Sequence, residues 1–115
     1  MTGRCLIRGT GDIGSAIAVA LFRAGYPVIL HDNPFPNYSR RGAAFVDALF
    51  DGEAEVGEVV ARLCRDVSEI DRALAAQDAI PVSSGEFATV LAASNPRVLV
   101  DARMRKRATP DPQRG

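Results

Sequence analysis

The sequence has few of the residues on which metal sites, disulfide frameworks and histidine-based catalysis depend. Its 115 residues include two cysteines, Cys5 and Cys64, and one histidine, His31. The cysteines form no CxxC pair and have no histidine near them in sequence, so we interpret them as buried free thiols rather than as a disulfide or a metal pair. No serine or cysteine lies at a recognisable distance from His31 for a catalytic triad, and we interpret His31 as a partly exposed polar residue. We therefore assign no catalytic residue and no metal ligand.

Long apolar runs are absent as well. No run approaches the roughly 20 residues that cross a bilayer, and the N-terminus lacks the charged and apolar regions of a secretory signal. We therefore expect a cytoplasmic protein with no membrane partner. The composition, with 47% hydrophobic and 24% charged residues, is typical of a chain that can form a packed core. It predicts one domain over residues 1–107, followed by a loop or linker tail over residues 108–115.

The formal net charge is zero, but the charges are unevenly distributed. Residues 103–115 carry five of the 14 basic side chains and one of the 14 acidic ones, and their basic block is Arg103-Met104-Arg105-Lys106-Arg107. Two interpretations are open: a solvated chain end, or a rim that binds an anion. Nucleic acid is not an expected partner, because no aromatic residues interleave with the basic block and the domain is not basic overall.

A glycine motif follows the first apolar run. Cys5-Leu6-Ile7-Arg8 leads into Gly9-Thr10-Gly11-Asp12-Ile13-Gly14, a G-x-G-x-x-G pattern that passes directly into a helical pattern. In such a turn Gly9 allows a tight exit from the strand, Gly11 lets the backbone approach a phosphate, and Gly14 lets the helix pack closely. Free N–H groups at the start of the helix favour a phosphate or pyrophosphate. The motif therefore predicts a cofactor-binding loop over all six of its residues.

Strands and helices alternate along the chain. In the first helix, apolar residues recur every four positions beside a stripe of small residues, which predicts a helix tight against a sheet. The two sets are Ile13, Ile17 and Leu21, and Ala16, Ala20 and Ala24. The other predicted elements are strands over residues 28–31, 79–82 and 97–100, a strand-like segment over 53–64 bent at Gly57, and helices over 40–50, 68–77 and 86–93, with a capping box at 68–71. This alternation predicts an α/β fold: a Rossmann-like, doubly wound, mainly parallel sheet of about five strands in the order 3-2-1-4-5.

In such a sheet, ligands bind beyond the carboxyl ends of the strands, near the switch in strand order. Residues 9–14, Asp32, residues 83–85 and residues 101–103 should all lie along that edge. Asp32 ends the second strand and can accept hydrogen bonds from both hydroxyls of an adenosine ribose. The alternative is that Asp32 only begins the turn before Pro34.

Further polar positions carry open alternatives. Asp12 would repel a nearby pyrophosphate, so we interpret it as a helix cap, with a metal-bridging role as the alternative. Arg40 and Arg41 either meet a 2′-phosphate or another anion, or form the solvated first turn of a helix. Asp101 and Arg103 form either a local ion pair or part of the site.

Four segments, spread in order over residues 5–107, resemble an accessory family of molybdenum hydroxylases. They are Arg8-Gly9-Thr10-Gly11-Asp12-Ile13, the run from Leu21 to Val28, Arg40-Arg41 followed by Phe45 and Ala48, and Val98-Leu99-Val100-Asp101-Ala102-Arg103-Met104 with Lys106-Arg107. The family is related to the xanthine dehydrogenase maturation factor XdhC, and the resemblance is to its branch associated with selenium-dependent molybdenum hydroxylases. The last segment is the most specific, because a generic Rossmann domain has no reason to carry V-D-A-R-M there.

The resemblance implies a cofactor-handling accessory protein rather than a self-sufficient oxidoreductase. Members of the family are thought to assist in handling, sulfurating and inserting the molybdenum cofactor. The implied ligand is therefore the molybdenum cofactor, as a molybdopterin nucleotide, with Arg103 and Lys106 on its basic rim. The implied partner is a molybdenum hydroxylase apoenzyme, and oligomer formation stays open. The alternative is an NAD(P)-dependent oxidoreductase or its cofactor-binding domain, although no substrate domain or proton-transfer group is evident.

The sequence departs from this family at two places. Family members often have alanine or another small residue where Gly14 stands, so this glycine motif is closer to a dinucleotide fingerprint. They also continue past the basic block into a second glycine-rich strand and turn, whereas this sequence stops at Gly115. We therefore expect a member that is truncated at its C-terminus.

Overall fold

A computed structural model describes residues 3–33 and 44–103, which form one six-stranded sheet with helices on both faces. The strands are β1 Cys5–Arg8, β2 Val28–His31, β3 Glu53–Val56, β4 Val59–Cys64, β5 Ile80–Ser83 and β6 Val98–Asp101. The helices are α1 Asp12–Arg23, α2 Asp47–Asp51, α3 Val67–Ala76 and α4 Phe87–Ser94. Every strand pairing is parallel except that of β3 with β4. The predicted α/β class with a Rossmann-like, mainly parallel sheet is confirmed, with six strands instead of about five.

The strand order differs from the predicted one. The sheet runs β3-β4-β5-β2-β1-β6, so β5 lies between β4 and β2, whereas the prediction placed it beyond β1. Burial explains the difference. All four residues of β5 are buried, which suits a central position covered on both faces, while most of β6 is exposed, which suits an edge. As a result, β6 alone lies on the far side of β1.

Two apolar clusters hold the helices on opposite faces of the sheet. On one face, Ala18 of α1 and Ala48 of α2 pack with Ile7 and Leu30. On the other face, helices α3 and α4 contribute Ile70 and Val90, which pack with Leu6 and Ile29. Because successive residues of a strand point to opposite faces, β1 and β2 each supply both clusters. The result is a three-layer arrangement in which the sheet is the middle layer.

Helix α1 presents only part of the predicted face to the sheet. Ile17 and Leu21 of the predicted apolar stripe pack against the core, but Ile13 is 56% exposed. Gly14, Ser15 and Ala18 are buried, whereas the predicted small-residue stripe Ala16, Ala20 and Ala24 is exposed. The close approach of Gly14 to the glycine loop sets the rotation of the helix. Ala18, one turn later, consequently points into the core.

The starts of two helices also differ from prediction. Helix α3 begins after Asp66, whose Oδ1 accepts the Glu69 N–H at 2.9 Å, so the predicted capping box at 68–71 is two residues too late. Helix α2 covers only the end of the predicted helix over 40–50, because residues 44–46 form a turn. The Phe45 N–H in this turn donates to Ser15 Oγ at 2.8 Å, which holds it outside the helical ladder.

The other predicted local features are confirmed. Gly57 has a φ of 56° and Glu58 a φ of 68°, and these two residues form the tight turn of the β3–β4 hairpin. Cys5 and Cys64 are buried free thiols and belong to the clusters on opposite faces of the sheet. Over residues 3–33 and 44–103, no helix has the length and apolar character that crossing a membrane requires.

Candidate functional site

The predicted site segments lie together at the carboxyl ends of the parallel strands. Residues 9–14 follow β1, Asp32 follows β2, and residues 83–85 and 101–103 lie at the ends of β5 and β6. The chain leaves β1 through α1 toward β2, while β6 pairs with the other side of β1. The switch in direction therefore lies between β1 and β6, which is where ligands bind in open α/β sheets.

Two glycines of the loop have the structural tasks predicted for them. Gly9 has a φ of 114°, and a Cβ on it would lie 2.8 Å from the carbonyl oxygen of Ala102. A Cβ on Gly14 would overlap the carbonyl oxygen of Gly9 and would come within 3.0 Å of its carbonyl carbon. The turn, the start of α1 and the segment after β6 are therefore packed backbone against backbone.

The start of α1 presents the four N–H groups that an α-helix leaves without an intrahelical acceptor, those of residues 11–14. Gly11 is the N-cap, with φ −75° and ψ −163°, an extended conformation that does not require glycine. Asp12 is exposed and is the first residue of the helix, so the interpretation of Asp12 as the cap is wrong. Its carboxylate instead lies at the positive end of the helix dipole.

Asp32 is hydrogen-bonded to the glycine loop through Thr10. Only 6% of the residue is exposed, and its Oδ2 accepts hydrogen bonds from the N–H and the Oγ1 of Thr10, both at 2.8 Å. Its Oδ1 accepts the Asn33 N–H at 2.8 Å. Both lone-pair directions of Oδ2 are thus used within the protein. This arrangement accounts for Asp32 as a loop-holding residue, and a contact with ribose stays a prediction.

Ser15 extends the same buried network. Its hydroxyl donates to the Thr10 carbonyl at 3.1 Å and accepts the Phe45 N–H at 2.8 Å. One hydroxyl therefore joins the glycine loop to the turn before α2. An unpaired buried polar group destabilises the folded chain. This network therefore favours one loop conformation even without a ligand.

Asp101 and Arg103 form the local ion pair that was one of the two alternatives for them. Arg103 Nε donates to Oδ1 at 2.8 Å and Nη2 donates to Oδ2 at 2.7 Å, which is a bidentate pair. The side-chain hydrogen bond from Arg103 is the largest influence on the carboxyl group and lowers the pKa of Asp101 to about 2, although partial burial opposes this shift. Arg8, the residue opposite Asp101 in the sheet, lowers it further.

A row of side chains crosses the sheet at the last residues of the parallel strands. This row was not predicted from the sequence. The register pairs the last residues of five parallel strands, namely Cys64, Ser83, His31, Arg8 and Asp101. Laterally paired residues of a sheet share a face, and Cys64 belongs to the cluster under α3 and α4. The sequence signal for this row was the polar residue that ends each of several buried strands.

His31 is buried, so the expectation of a partly exposed histidine is wrong. It is 4% exposed, its Nε2 lies 2.6 Å from the Gly85 carbonyl oxygen, and its ring meets the Phe87 ring edge to face with centroids 5.1 Å apart. Burial is the largest cause of the lowered pKa of His31, the hydrogen bond to Gly85 opposes it, and the nearby Arg8 charge lowers the pKa further.

Three predicted site residues, Arg40, Arg41 and Lys106, lie outside the described residues. Among residues 3–33 and 44–103, no group of three or more His, Cys, Asp or Glu side chains is arranged to hold a metal ion. The arrangement as described offers backbone N–H donors and guanidinium groups, which suits the binding of an anion.

The chain is similar to a much longer bacterial protein. It is 38% identical over 101 residues to the "Uncharacterized protein YqeB" of Escherichia coli (strain K12). This match covers 88% of the chain but only 18% of the length of YqeB, so the region corresponds to a small part of that protein. No family model matches the chain, and no solved structure matches it.

Proposed function

We propose that this chain binds the phosphate groups of a molybdopterin nucleotide at the glycine loop and serves a molybdenum hydroxylase as an accessory protein. The observation that carries the proposal is the contact between the loop and the Val98–Arg103 segment. A Cβ on Gly9 would meet Ala102, and a Cβ on Gly14 would lie 3.6 Å from the Ala102 Cβ. The glycine loop therefore packs against the segment that is the most specific part of the resemblance.

The chemistry of that surface supports a phosphate ligand. Residues 11–14 direct N–H groups outward from the start of α1, where the helix dipole also favours negative charge. Arg103 lies next to the loop, because its backbone N lies 3.0 Å from the position of a Cβ on Gly9, and its guanidinium pairs with Asp101. The basic block that follows would extend this positive rim. The proposal places the chain in the cytoplasm with a hydroxylase apoenzyme as its partner.

An NAD(P)-binding module of an oxidoreductase is the second candidate. The G-x-G-x-x-G turn followed by an acidic residue at the end of β2 favours it. The geometry of Asp32 supports it less, because a ribose-binding carboxylate must offer acceptor positions to the ligand and Oδ2 gives both of its positions to Thr10. We therefore place the molybdopterin nucleotide first.

Calorimetric titration of one purified sample with NAD, NADP and a molybdopterin nucleotide tests the proposal. We expect the molybdopterin nucleotide to bind most tightly. Gly11→Val should weaken its binding at least tenfold, or about 1.4 kcal/mol, because a branched side chain would stand where phosphate meets the backbone. The φ and ψ of Gly11 are extended and do not require glycine, but the residue is buried, so the fold of the variant is verified before its affinity is compared.

A second variant gives a result of opposite sign. Asp12→Asn removes the exposed carboxylate from the first turn of α1 and should tighten phosphate binding severalfold. Circular dichroism on both variants checks that they are folded. Unchanged affinity in both folded variants would show that the loop is a structural turn and not a binding site. Tighter binding of NAD than of the molybdopterin nucleotide would favour the second candidate.

A further inference from the structure

Strand β1 ends in Arg8, whose buried Nε has no hydrogen-bond partner among residues 3–33 and 44–103. The guanidinium carbon of Arg8 lies 3.7 Å from the centroid of the Phe87 ring, so the charged group stacks on the first residue of α4. An arginine has five N–H donors in a planar fork, and leaving a buried donor unpaired destabilises the fold.

A purely structural role does not explain this residue well. Leu6 lies on the same face of β1 two residues earlier and is fully buried in the cluster under α3 and α4. A leucine at the end of the strand could continue that cluster without a charged group or an unpaired donor. An arginine that stacks on an aromatic ring and has an unpaired buried Nε is instead suited to binding an anion.

The acidic residues near Arg8 are hydrogen-bonded to other groups. Asp101, which lies opposite Arg8 in the sheet, accepts the bidentate hydrogen bonds of Arg103. His31, the neighbour of Arg8 on the other side, is buried, and burial lowers its pKa and so favours its uncharged form. Asp32 lies near His31, and its Oδ2 accepts two hydrogen bonds from Thr10. Neither carboxylate therefore satisfies the buried Nε of Arg8.

We infer that Arg8 is an anion-binding residue of the site, and that it takes a phosphate group of the ligand at the switch between β1 and β6. The inference rests on the proposed nucleotide-binding function and adds a residue that the glycine motif does not include. Phe87 is a positioning residue, because its ring holds the guanidinium plane in place. The planar fork matches two phosphate oxygens, which a lysine cannot contact in the same way.

Binding of inorganic pyrophosphate to the full chain, measured by calorimetry, tests this role directly. Arg8→Lys keeps the positive charge but loses the fork and the stacking geometry, and we expect it to weaken pyrophosphate binding at least tenfold. Arg62→Lys is the matched control. Arg62 is exposed, pairs with Glu53 at 3.2 Å and lies on β4, which β5 and β2 separate from β1. It should leave the affinity unchanged.

Two variants of Phe87 test its positioning role. Phe87→Leu removes the aromatic ring and should weaken pyrophosphate binding severalfold, while Phe87→Tyr keeps the ring and should restore the affinity of the unmodified chain. A residue that only packs against the cluster would not show rescue by tyrosine. Thermal melting of each variant verifies that the fold is retained, and Arg8→Gln provides a second removal of the fork if Arg8→Lys does not fold.

The outcomes separate this inference from the proposed function. Loss of pyrophosphate binding in Gly11→Val together with full binding in Arg8→Lys would overturn the role of Arg8 and leave the glycine loop as the phosphate site. Absence of pyrophosphate binding to the unmodified chain would overturn the role of Arg8, while the titration with molybdopterin nucleotide would still decide the proposed function.

Discussion

The side chain of Asp32 and the backbone of Thr10 are tied together beneath the glycine loop, with both Thr10 donors 2.8 Å from Asp32 Oδ2. This contact connects the end of β2 to the turn that follows β1. The Asp32 carboxylate, which the sequence predicts to bind ribose hydroxyls, therefore also stabilises the loop. Its replacement has consequences for folding that can be measured without any ligand.

Asp32→Ala should lower the free energy of unfolding by about 3 kcal/mol, because it leaves two buried donors of Thr10 unpaired and removes the acceptor of the Asn33 N–H. Urea denaturation followed by circular dichroism measures the change. Asp78→Ala is the control, because Asp78 is exposed and should cost little. A loss below about 0.5 kcal/mol, the range of ordinary surface substitutions, would mean that Asp32 does not hold the loop.

A second prediction concerns Gly14, the position where members of the resembling family often have alanine. Gly14→Ala places a methyl group against the Gly9 carbonyl and should destabilise the chain by about 2 kcal/mol, since the loop must move away from α1. Gly85→Ala is the matched control, because the nearest atom to its added Cβ is Ser83 Oγ at 3.5 Å, an ordinary contact. Equal thermal stability of the two variants would contradict this prediction, because it would show that the loop accommodates alanine at position 14 without destabilising the chain.

These two positions show what the sequence could predict of the site. The spacing of the glycines predicts the turn, the start of α1 and the edge of the sheet at which they lie. It could not predict that Asp32 is buried under Thr10, because this depends on the rotamer of one side chain and on the packing above it. Nor could it predict that Arg8 stacks on Phe87, a residue far away in sequence that α4 brings to the end of β1.

The fold was predictable to a similar extent. Periodicity and turn residues predict most of the elements, including β2 and the bend at Gly57, but they did not divide residues 53–64 into the two strands β3 and β4. The strand order depends on which strand can be buried on both faces, and the sequence of β5, Ile-Pro-Val-Ser, does not look more apolar than that of β6, Val-Leu-Val-Asp. β5 is central because Ile80 and Val82 join the cluster that includes Ala18 and Ala48 while α3 contacts β5, whereas β6 lies at the edge of the sheet.

A third prediction concerns the pKa of His31. Since His31 is the single histidine of the chain, its ring signals in a proton NMR titration are unambiguous. We expect a pKa below the ordinary value of 6.5 in the folded protein, because the ring is buried beside Phe87 and Arg8. A folded-state pKa at or above 6.5 would contradict the buried position.

The sign of the accompanying stability change follows from linkage. Below pH 6.5 the unfolded chain takes up a proton at His31 that the folded chain resists, so the unfolded state binds more protons in that window. Stability should therefore decrease as the pH falls from 6.5 toward the lowered pKa of His31. His31→Gln should reduce this decrease, and urea denaturation at a series of pH values measures it.

The last prediction separates a molybdopterin nucleotide from NAD as the ligand, and it uses the basic block. Arg103, Lys106 and Arg107 follow β6 in sequence, and the end of β6 lies beside the glycine loop, so we expect their charges to act on an anion bound there. NAD needs only the loop, while a molybdopterin nucleotide has more negative charge. Replacing all three residues with glutamine should weaken binding of the molybdopterin nucleotide about tenfold, or 1.4 kcal/mol, and should hardly change NAD binding. Because exposed charges are screened over about 10 Å at 0.1 M salt, binding of the molybdopterin nucleotide to the unmodified chain should also weaken as salt is added.

A matched triple variant shows whether the position of the lost charges matters. Glutamine at Arg62, Arg65 and Arg72 removes three exposed positive charges from β4, α3 and the segment between them. That variant should bind the molybdopterin nucleotide like the unmodified chain, because none of the three residues belongs to the glycine loop or to the segment after β6. Equal losses of NAD and molybdopterin nucleotide binding in the basic-block variant, or no loss of either, would remove the physical support for a carrier of the molybdenum cofactor. The same weakening in both triple variants would mean that net charge, and not a rim beside the glycine loop, attracts the ligand.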